Sequence, residues 1–259
     1  MSETKTDVKQ FRASEVRSYK VIKHNDIIQK ARFDLTTQEQ KVILYLISKI
    51  KPGDMSFEEH RFEITDFCRV CGLDEGNGGN YAYIKKTLKD LRDKSIWVTL
   101  PNGGETTLSW LRKVTIHKKS GSIAIRLDDD MKPYLLHLQS HFTQYELFYT
   151  LGMRSQYSIR LYELLKSYEY RRRVVLDIEE LKKILSAEHY ALFGDFKRRV
   201  LDIALSEINS LTDLQAEYHL TKSGRKYTKI EFTIIFKKDI MERFRAQTKT
   251  NQRLSKINN

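Results

Sequence analysis

Only two cysteines occur in this 259-residue chain, which leaves no disulfide framework and points to a reducing compartment such as the cytoplasm. Long apolar runs are missing too. The longest, Val42 to Ile47, falls far short of the ~20 residues that span a bilayer, and Met1 to Arg17 is polar and mixed in charge, so neither a membrane segment nor a signal peptide is expected. Signatures of catalysis are equally scarce. Gly76-Asn77-Gly78-Gly79-Asn80 lacks the Gly-Lys-Ser/Thr ending of a phosphate loop and reads as a connector without ATP use. Cys68-Arg69-Val70-Cys71 has the spacing of a zinc or redox pair, but no second pair follows it, and the two thiols are better read as core positions. His137 and His141 have no third ligand and form no His-apolar-His motif, so the metal of a strand-nicking enzyme has no site. Asp128-Asp129-Asp130 cannot face one ion from consecutive helical positions, and helix capping accounts for it better. No catalytic residue, metal or cofactor is expected.

What the chain does have is positive charge and a repeat. Lys and Arg number 46 against 34 Asp and Glu, a net charge of +12 with a pI near 9.5, which suits a polyanionic partner. Phe62-Glu63-Ile64-Thr65-Asp66-Phe67 is answered by Leu176-Asp177-Ile178-Glu179-Glu180-Leu181, and Tyr83-Ile84-Lys85-Lys86-Thr87-Leu88 by Asp195-Phe196-Lys197-Arg198-Arg199-Val200. Upstream, Leu44-Tyr45 is answered by Leu161-Tyr162, so the blocks recur in one order. A period this long means two related domains. Each half reads as a helix, a short strand into a helix, a second helix studded with Lys and Arg, then paired strands. That order is a winged helix-turn-helix, and the fold class is α+β with two tandem winged-helix domains related by duplication. We expect a flexible arm over residues 1–20, a first domain over 21–145, a second over 146–238 and a basic tail over 239–259.

Helical spacing and turn residues place the elements. A helix capped by Thr36 or Thr37 runs to about Ile50, and a strand over Arg61 to Ile64 leads into a helix capped by Thr65. Gly72 to Asn80 is a loop and Tyr81 to Lys94 the next helix. Strands follow near Trp97, over Leu108 to His117 and over Ser122 to Leu127, then a helix over Asp128 to Leu136. In the second half Asp177 caps a helix to Leu185, Phe196 to Asn209 is a strong helix, and strands over Leu214 to Leu220 and Lys226 to Lys237 form a wing. Past Lys238 a helix to about Ala246 gives way to a frayed end.

On the helix from Phe196, a regular α period puts Phe196, Val200, Ile203 and Ala204 on one face and Arg198, Arg199, Asp202, Ser206 and Asn209 on the other. Paired arginines on an exposed face fit guanine reading in the major groove, with a merely solvated face as the competing account. Lys197 leans toward the apolar side and suits a phosphate contact, and Glu207 suits a structural ion pair, with Arg160 a candidate partner. In the first half Ile84, Leu88 and Leu91 form the buried stripe, while Lys85, Lys86, Lys89 and Arg92 suit backbone contacts that add affinity more than sequence choice. Arg112, Lys113, Lys118 and Lys119 in one wing, and Lys222, Arg225 and Lys226 in the other, are expected at phosphate or minor groove.

Ser155-Gln156-Tyr157-Ser158-Ile159-Arg160-Leu161-Tyr162-Glu163-Leu164-Leu165, with Asp195-Phe196-Lys197-Arg198-Arg199-Val200-Leu201 and the wing Lys222-Ser223-Gly224-Arg225-Lys226, closely resembles the initiators of iteron-type bacterial plasmids, the RepB, RepA and RepE-like proteins. Leu35-Thr36-Thr37-Gln38-Glu39-Gln40-Lys41 resembles their first half. The resemblance covers roughly residues 20 to 237. It implies a non-enzymatic initiator that binds repeated sites in double-stranded origin DNA as a monomer, melts the adjacent duplex and recruits host helicase and initiation proteins. It also implies dimers, formed through the first domain, that repress the protein's own promoter at an inverted repeat. Strands Trp97 to Leu100 and Leu108 to His117 are the expected dimer edges, with Leu108 and Leu111 as apolar interface positions. A winged-helix repressor without an initiator role is the alternative.

Overall fold

The computed structural model describes residues 19–72, 80–100 and 102–257. The expected arm, up to residue 18, and the connector at 73–79 lie outside the described residues.

Strand β1 (Lys20–His24) and the short helix α1 (Asn25–Gln29) open the chain. Helix α2 (Thr37–Ile47) starts at a capping box: the Thr36 hydroxyl accepts from the Glu39 amide at 3.3 Å, and the Glu39 carboxylate accepts from the Thr36 amide at 2.7 Å. Strand β2 (His60–Glu63) leads into α3 (Ile64–Cys71), and α4 (Asn80–Asp93) follows. Thr65 does not cap α3, because the helix already begins at Ile64 and Glu63 makes no side-chain cap bond. Both cysteines are buried in this helix.

Strands β3 (Ser95–Thr99) and β4 (Glu105–Ser109) form a separate hairpin, and β5 (Leu111–His117) and β6 (Ser122–Leu127) join β2 in a sheet of order β2-β6-β5. The single strand expected over 108–117 is therefore two. It breaks at Trp110, whose indole is buried edge-on against Phe33, ring centroids 5.0 Å apart. The helix expected over 128–136 is also divided, into a 3-10 turn (Asp129–Met131) and α5 (Lys132–Leu135). Asp128 caps the turn by accepting from the Asp130 amide, but Pro133 brings no amide donor and Leu136 is already extended. Strand β7 (Phe142–Glu146) then returns to pair antiparallel with β1, Lys20 opposite Glu146, and α6 (Phe148–Leu151) ends the half.

The second half repeats the plan. Helix α7 (Gln156–Ser167), β8 (Arg173–Asp177) and α8 (Ile178–Ile184) precede α9 (Phe193–Phe196), which continues through one π turn (Lys197–Leu201) into α10 (Asp202–Leu211). Asp177 caps α8 by accepting from the Glu179 and Glu180 amides at 2.9 and 3.3 Å. Strands β9 (Leu214–Ser223) and β10 (Lys226–Phe236) give the order β8-β10-β9, with the last strand in the middle, as in the first half. Helix α11 (Ile240–Ile257) does not stop near Ala246: Ala246 and Thr250 are both buried, so two successive turns lie on the body. The approach is close enough that a Cβ on Gly152 would stand 2.9 Å from the Thr250 side chain.

One apolar cluster runs through both halves, joining Val42 and Leu46 of α2 to Leu161 and Leu164 of α7 and on to Phe196 and Val200. Polar groups tie the same joint. The Thr37 hydroxyl donates to the Arg154 carbonyl at 3.0 Å, and Ser186 to that of Phe33 at 2.8 Å. Arg160, 2% exposed, lies with its guanidinium 4.1 Å from the Phe33 ring centroid and donates to the carbonyls of Ala31 and Ile184, each at 3.2 Å. Beneath it, Lys23 pairs with the buried Glu163, which also accepts from the Tyr145 hydroxyl. Burial pulls the Lys23 ammonium down against the pull of Glu163, and lowers the Arg160 guanidinium to about 10.

Candidate nucleic-acid interface

Two basic surfaces emerge, one per winged helix. In the first half, Ile84, Leu88 and Leu91 are buried as the α4 pattern expects, which turns Lys85, Lys86, Lys89 and Arg92 outward. Between α4 and β5 lies an open groove of about 980 Å³ that brings Lys85, Lys89 and Arg92 of the helix together with Arg112, Lys113, Lys118 and Lys119 of the wing. Tyr81, which neither charge nor spacing singles out in the sequence, lines the same groove with the Lys118 ammonium 5.1 Å from its ring centroid. Lys86 is not among the residues lining it and instead pairs with Asp90 at 2.8 Å. Lys89 pairs with Asp93 at 2.6 Å. Hydrogen bonds to these carboxylates raise both ammonium groups above the usual lysine range, so they remain charged. A phosphate meeting either lysine must displace a partner only loosely held on an exposed helix face.

In the second half the π turn decides the surface. It holds one residue more than an α turn, so each later side chain is set back by about 100° around the axis. Ile203, placed by a regular α period on the apolar face, is consequently turned out and 45% exposed, while Leu201, Leu205 and Ile208 take the inward positions. Arg198, Arg199, Asp202 and Ser206 stay on the outer face. The Arg198 and Arg199 side chains are 69% and 60% exposed and are held loosely by Asp195, at 2.9 and 3.8 Å. Asn209 does not belong to this face, because its amide donates to the Ala216 carbonyl at 2.9 Å and accepts from the Ala216 amide at 2.7 Å, fastening α10 to β9.

Lys197 is half-exposed and pairs with Asp202 at 2.8 Å, and that hydrogen bond raises its ammonium above the ordinary range. Asp202 also accepts from the Tyr218 hydroxyl at 3.1 Å, so this carboxylate links α10 to its wing. The wing turns at Gly224, whose φ of +61° lies where an L side chain is strained, and it presents Lys222, Arg225 and Lys226 to solvent. Next to the turn it is braced by aromatic contact: the Tyr227 ring lies 4.6 Å from that of Phe193, and the Lys222 ammonium 4.6 Å from the Tyr227 centroid.

Glu207 faces inward, but its partner is not Arg160. It pairs with Arg253 of α11 at 2.6 Å and accepts from the Arg154 and Ser155 amides at 3.1 and 3.3 Å. Arg160 instead lies 3.8 Å from Glu163 one turn along α7. The expected dimer positions also need correction. Leu108 is 8% and Leu111 0% exposed, both in the core, whereas Trp97 of β3 is 51% exposed. The outer edge of β3 is capped by Arg32, whose amide and carbonyl bond the Trp97 carbonyl and amide at 2.9 and 3.0 Å.

Comparison with known proteins gives a consistent result. The family model for the initiator replication protein WH1 domain matches residues 20–166, and that for the initiator Rep protein WH2 domain matches 177–234. A curated relative, the PI protein of Escherichia coli, is 26% identical over 154 residues, 52% of this chain and 50% of the relative, so the chain aligns with about half the relative's length. The solved Pi initiator protein in complex with iteron DNA superposes with a TM-score of 0.66 at 20% identity, over 86% of this chain and 99% of the other. That likeness is one of fold.

Proposed function

The chain belongs to the initiator replication protein family, with its WH1 and WH2 domains in that order, and from this premise we propose that it starts plasmid replication by binding repeated origin sites on double-stranded DNA. The observation that carries the reading is the pair of basic winged-helix faces held on one packed body, seen against a structural relative that is itself in complex with iteron DNA. Residues 146–238 choose the sequence, through Arg198 and Arg199 with Ser206 beside them, while Lys197, Lys222, Arg225 and Lys226 meet phosphates and Asp202 positions Lys197. Residues 21–145 add affinity through Lys85, Lys89 and Arg92 in the groove and Lys86 beside it. Helix α11 braces the joint through Arg253.

Binding free energy, with no bond made or broken by the protein, opens the duplex; smooth bending of a site of two to three turns costs about 1 to 6 kcal/mol, within reach of several copies bound side by side. Helicase recruitment and repression by a dimer complete the proposed cycle in the cytoplasm. The test is a duplex carrying direct repeats from the neighbourhood of the gene, compared with a scrambled duplex of equal length. Footprints on each repeat, together with maintenance of a replicon that carries only this gene and those repeats, are expected. Footprints without maintenance would assign the chain to repression alone, and strand cleavage of supercoiled DNA would make it an enzyme.

A further inference from the structure

On the outer face of the reading helix, Ile203 is the single apolar side chain among Arg198, Arg199, Asp202 and Ser206. A lone exposed aliphatic residue is ordinary on a protein surface. Ile203 differs because a specific backbone device turns it out: in an uninterrupted α-helix it would join Phe196 and Val200 in the core, and the π turn at Lys197–Leu201 sets it on the outer face instead. It stands one turn beyond Arg199 and one turn before Ser206, in the middle of the surface assigned above to base reading. As a β-branched residue in a helix it has essentially one side-chain rotamer, so the apolar surface it offers is fixed in place.

We infer that Ile203 is a specificity-determining residue that packs against the C5-methyl group of a thymine in the bound site. The edges of the four bases in the major groove present donors, acceptors and one apolar group, and that group is the thymine methyl. A rigid aliphatic side chain held among arginines has no other complementary partner there. The thymine lies next to the bases read by Arg198 and Arg199, since the extra residue of the π turn sets Ile203 back to an angle between theirs, about one turn further along the helix. This inference rests on the proposed function, because it requires α10 to face DNA.

The test uses the full chain and a duplex that the chain itself selects from a random pool. Each thymine is replaced in turn by 2′-deoxyuridine, which removes the methyl group alone, and dissociation constants are measured for the parent and for Ile203→Ala. The parent should weaken about four-fold at one thymine, the value of one buried methyl group. Ile203→Ala should bind the thymine duplex more weakly by a similar factor, show no further loss at that position, and keep the parent's salt dependence, because no cation facing a phosphate is removed. Unfolding is not a concern at a half-exposed position, and Ile203→Val, which keeps a β-branched surface, should retain part of the discrimination. A parent indifferent to every thymine replacement, or an Ile203→Ala chain that keeps the full methyl penalty, overturns the inference while leaving the initiator reading intact. A parent that selects no sequence at all overturns both.

Discussion

Replacing Glu207 by alanine should destabilise the protein by about 3 kcal/mol, more than any single substitution on the basic surfaces. The carboxylate is 7% exposed and accepts from two backbone amides, those of Arg154 and Ser155, as well as from Arg253. Truncation orphans both amides at the start of α7; a buried donor left without a partner costs about 1 to 3 kcal/mol, and these part-buried amides fall at the low end, about 1 kcal/mol each. The Arg253 guanidinium is about one-third exposed and can regain water, so its share belongs at the low end, about 1 kcal/mol or less. Arg253→Ala should therefore cost far less than Glu207→Ala, and in the double variant the two effects should not add. Urea unfolding measures all three proteins, with the comparison made on midpoints at unchanged slope. If Arg253→Ala proves as costly as Glu207→Ala, the backbone amides are not what Glu207 secures, and the reasoning fails.

Three further outcomes follow from the surfaces and the core. Arg198→Ala or Arg199→Ala should weaken binding to the cognate repeat by about 1 to 3 kcal/mol and hardly affect random duplex; equal losses on both DNAs in titrations would reduce that arginine to a phosphate contact. The triple change of Lys85, Lys86 and Lys89 to alanine should weaken binding to every duplex and lower the slope of log affinity against log salt by roughly 1 for each phosphate no longer neutralised, so an unchanged slope would argue against the first-domain clamp. Burial draws the Lys41 ammonium from 10.5 down to about 8, partly opposed by Cys71 and Glu207. The folded chain then holds fewer protons than the unfolded one between those values, so the penalty is full below pH 8 and stability rises as pH climbs toward 10.5. Lys41→Met should add up to about 3 kcal/mol at pH 7 and flatten that rise, which unfolding at pH 7 and 9.5 would reveal.

Much of this architecture was legible because its signals are local. The Thr36 capping box, the Asp177 cap and the Ile84, Leu88, Leu91 stripe each lie within a few residues of what they determine. The repeated blocks made the tandem plan readable, and the two sheets share one strand order. What escaped was non-local. Strand β1 is a short mixed segment, Lys-Val-Ile-Lys-His, whose partner β7 comes from the far end of the domain. Glu207 finds Arg253 on a helix whose extent no local pattern announced. The π turn is the instructive failure, since a fixed 100° step assigns Ile203 and Asn209 to the wrong faces once a single residue is added to one turn. The candidate basic residues were found by type and spacing; the sequence did not reveal that α4 and its wing enclose a groove, nor that Asp202 fastens helix to wing.

If both basic faces meet DNA as proposed, the joint around Arg160 makes the molecule a gauge of helical phase. With its guanidinium held by the Ala31 and Ile184 carbonyls, and one core running through both halves, the two basic faces are held at a set separation and angle. Domains on a slack tether could each find their own contacts wherever these lay along the duplex. A rigid pair accepts only sites whose two parts are correctly spaced and also correctly rotated about the DNA axis. Each added base pair moves the second part by about 3.4 Å and turns it by roughly 35°, so a single insertion carries it off its reader, whereas a whole turn of about 10.5 base pairs restores the angle but not the distance. On the proposed reading, length and phase of the repeat are thus written into the protein's interior as much as into the side chains proposed to touch DNA.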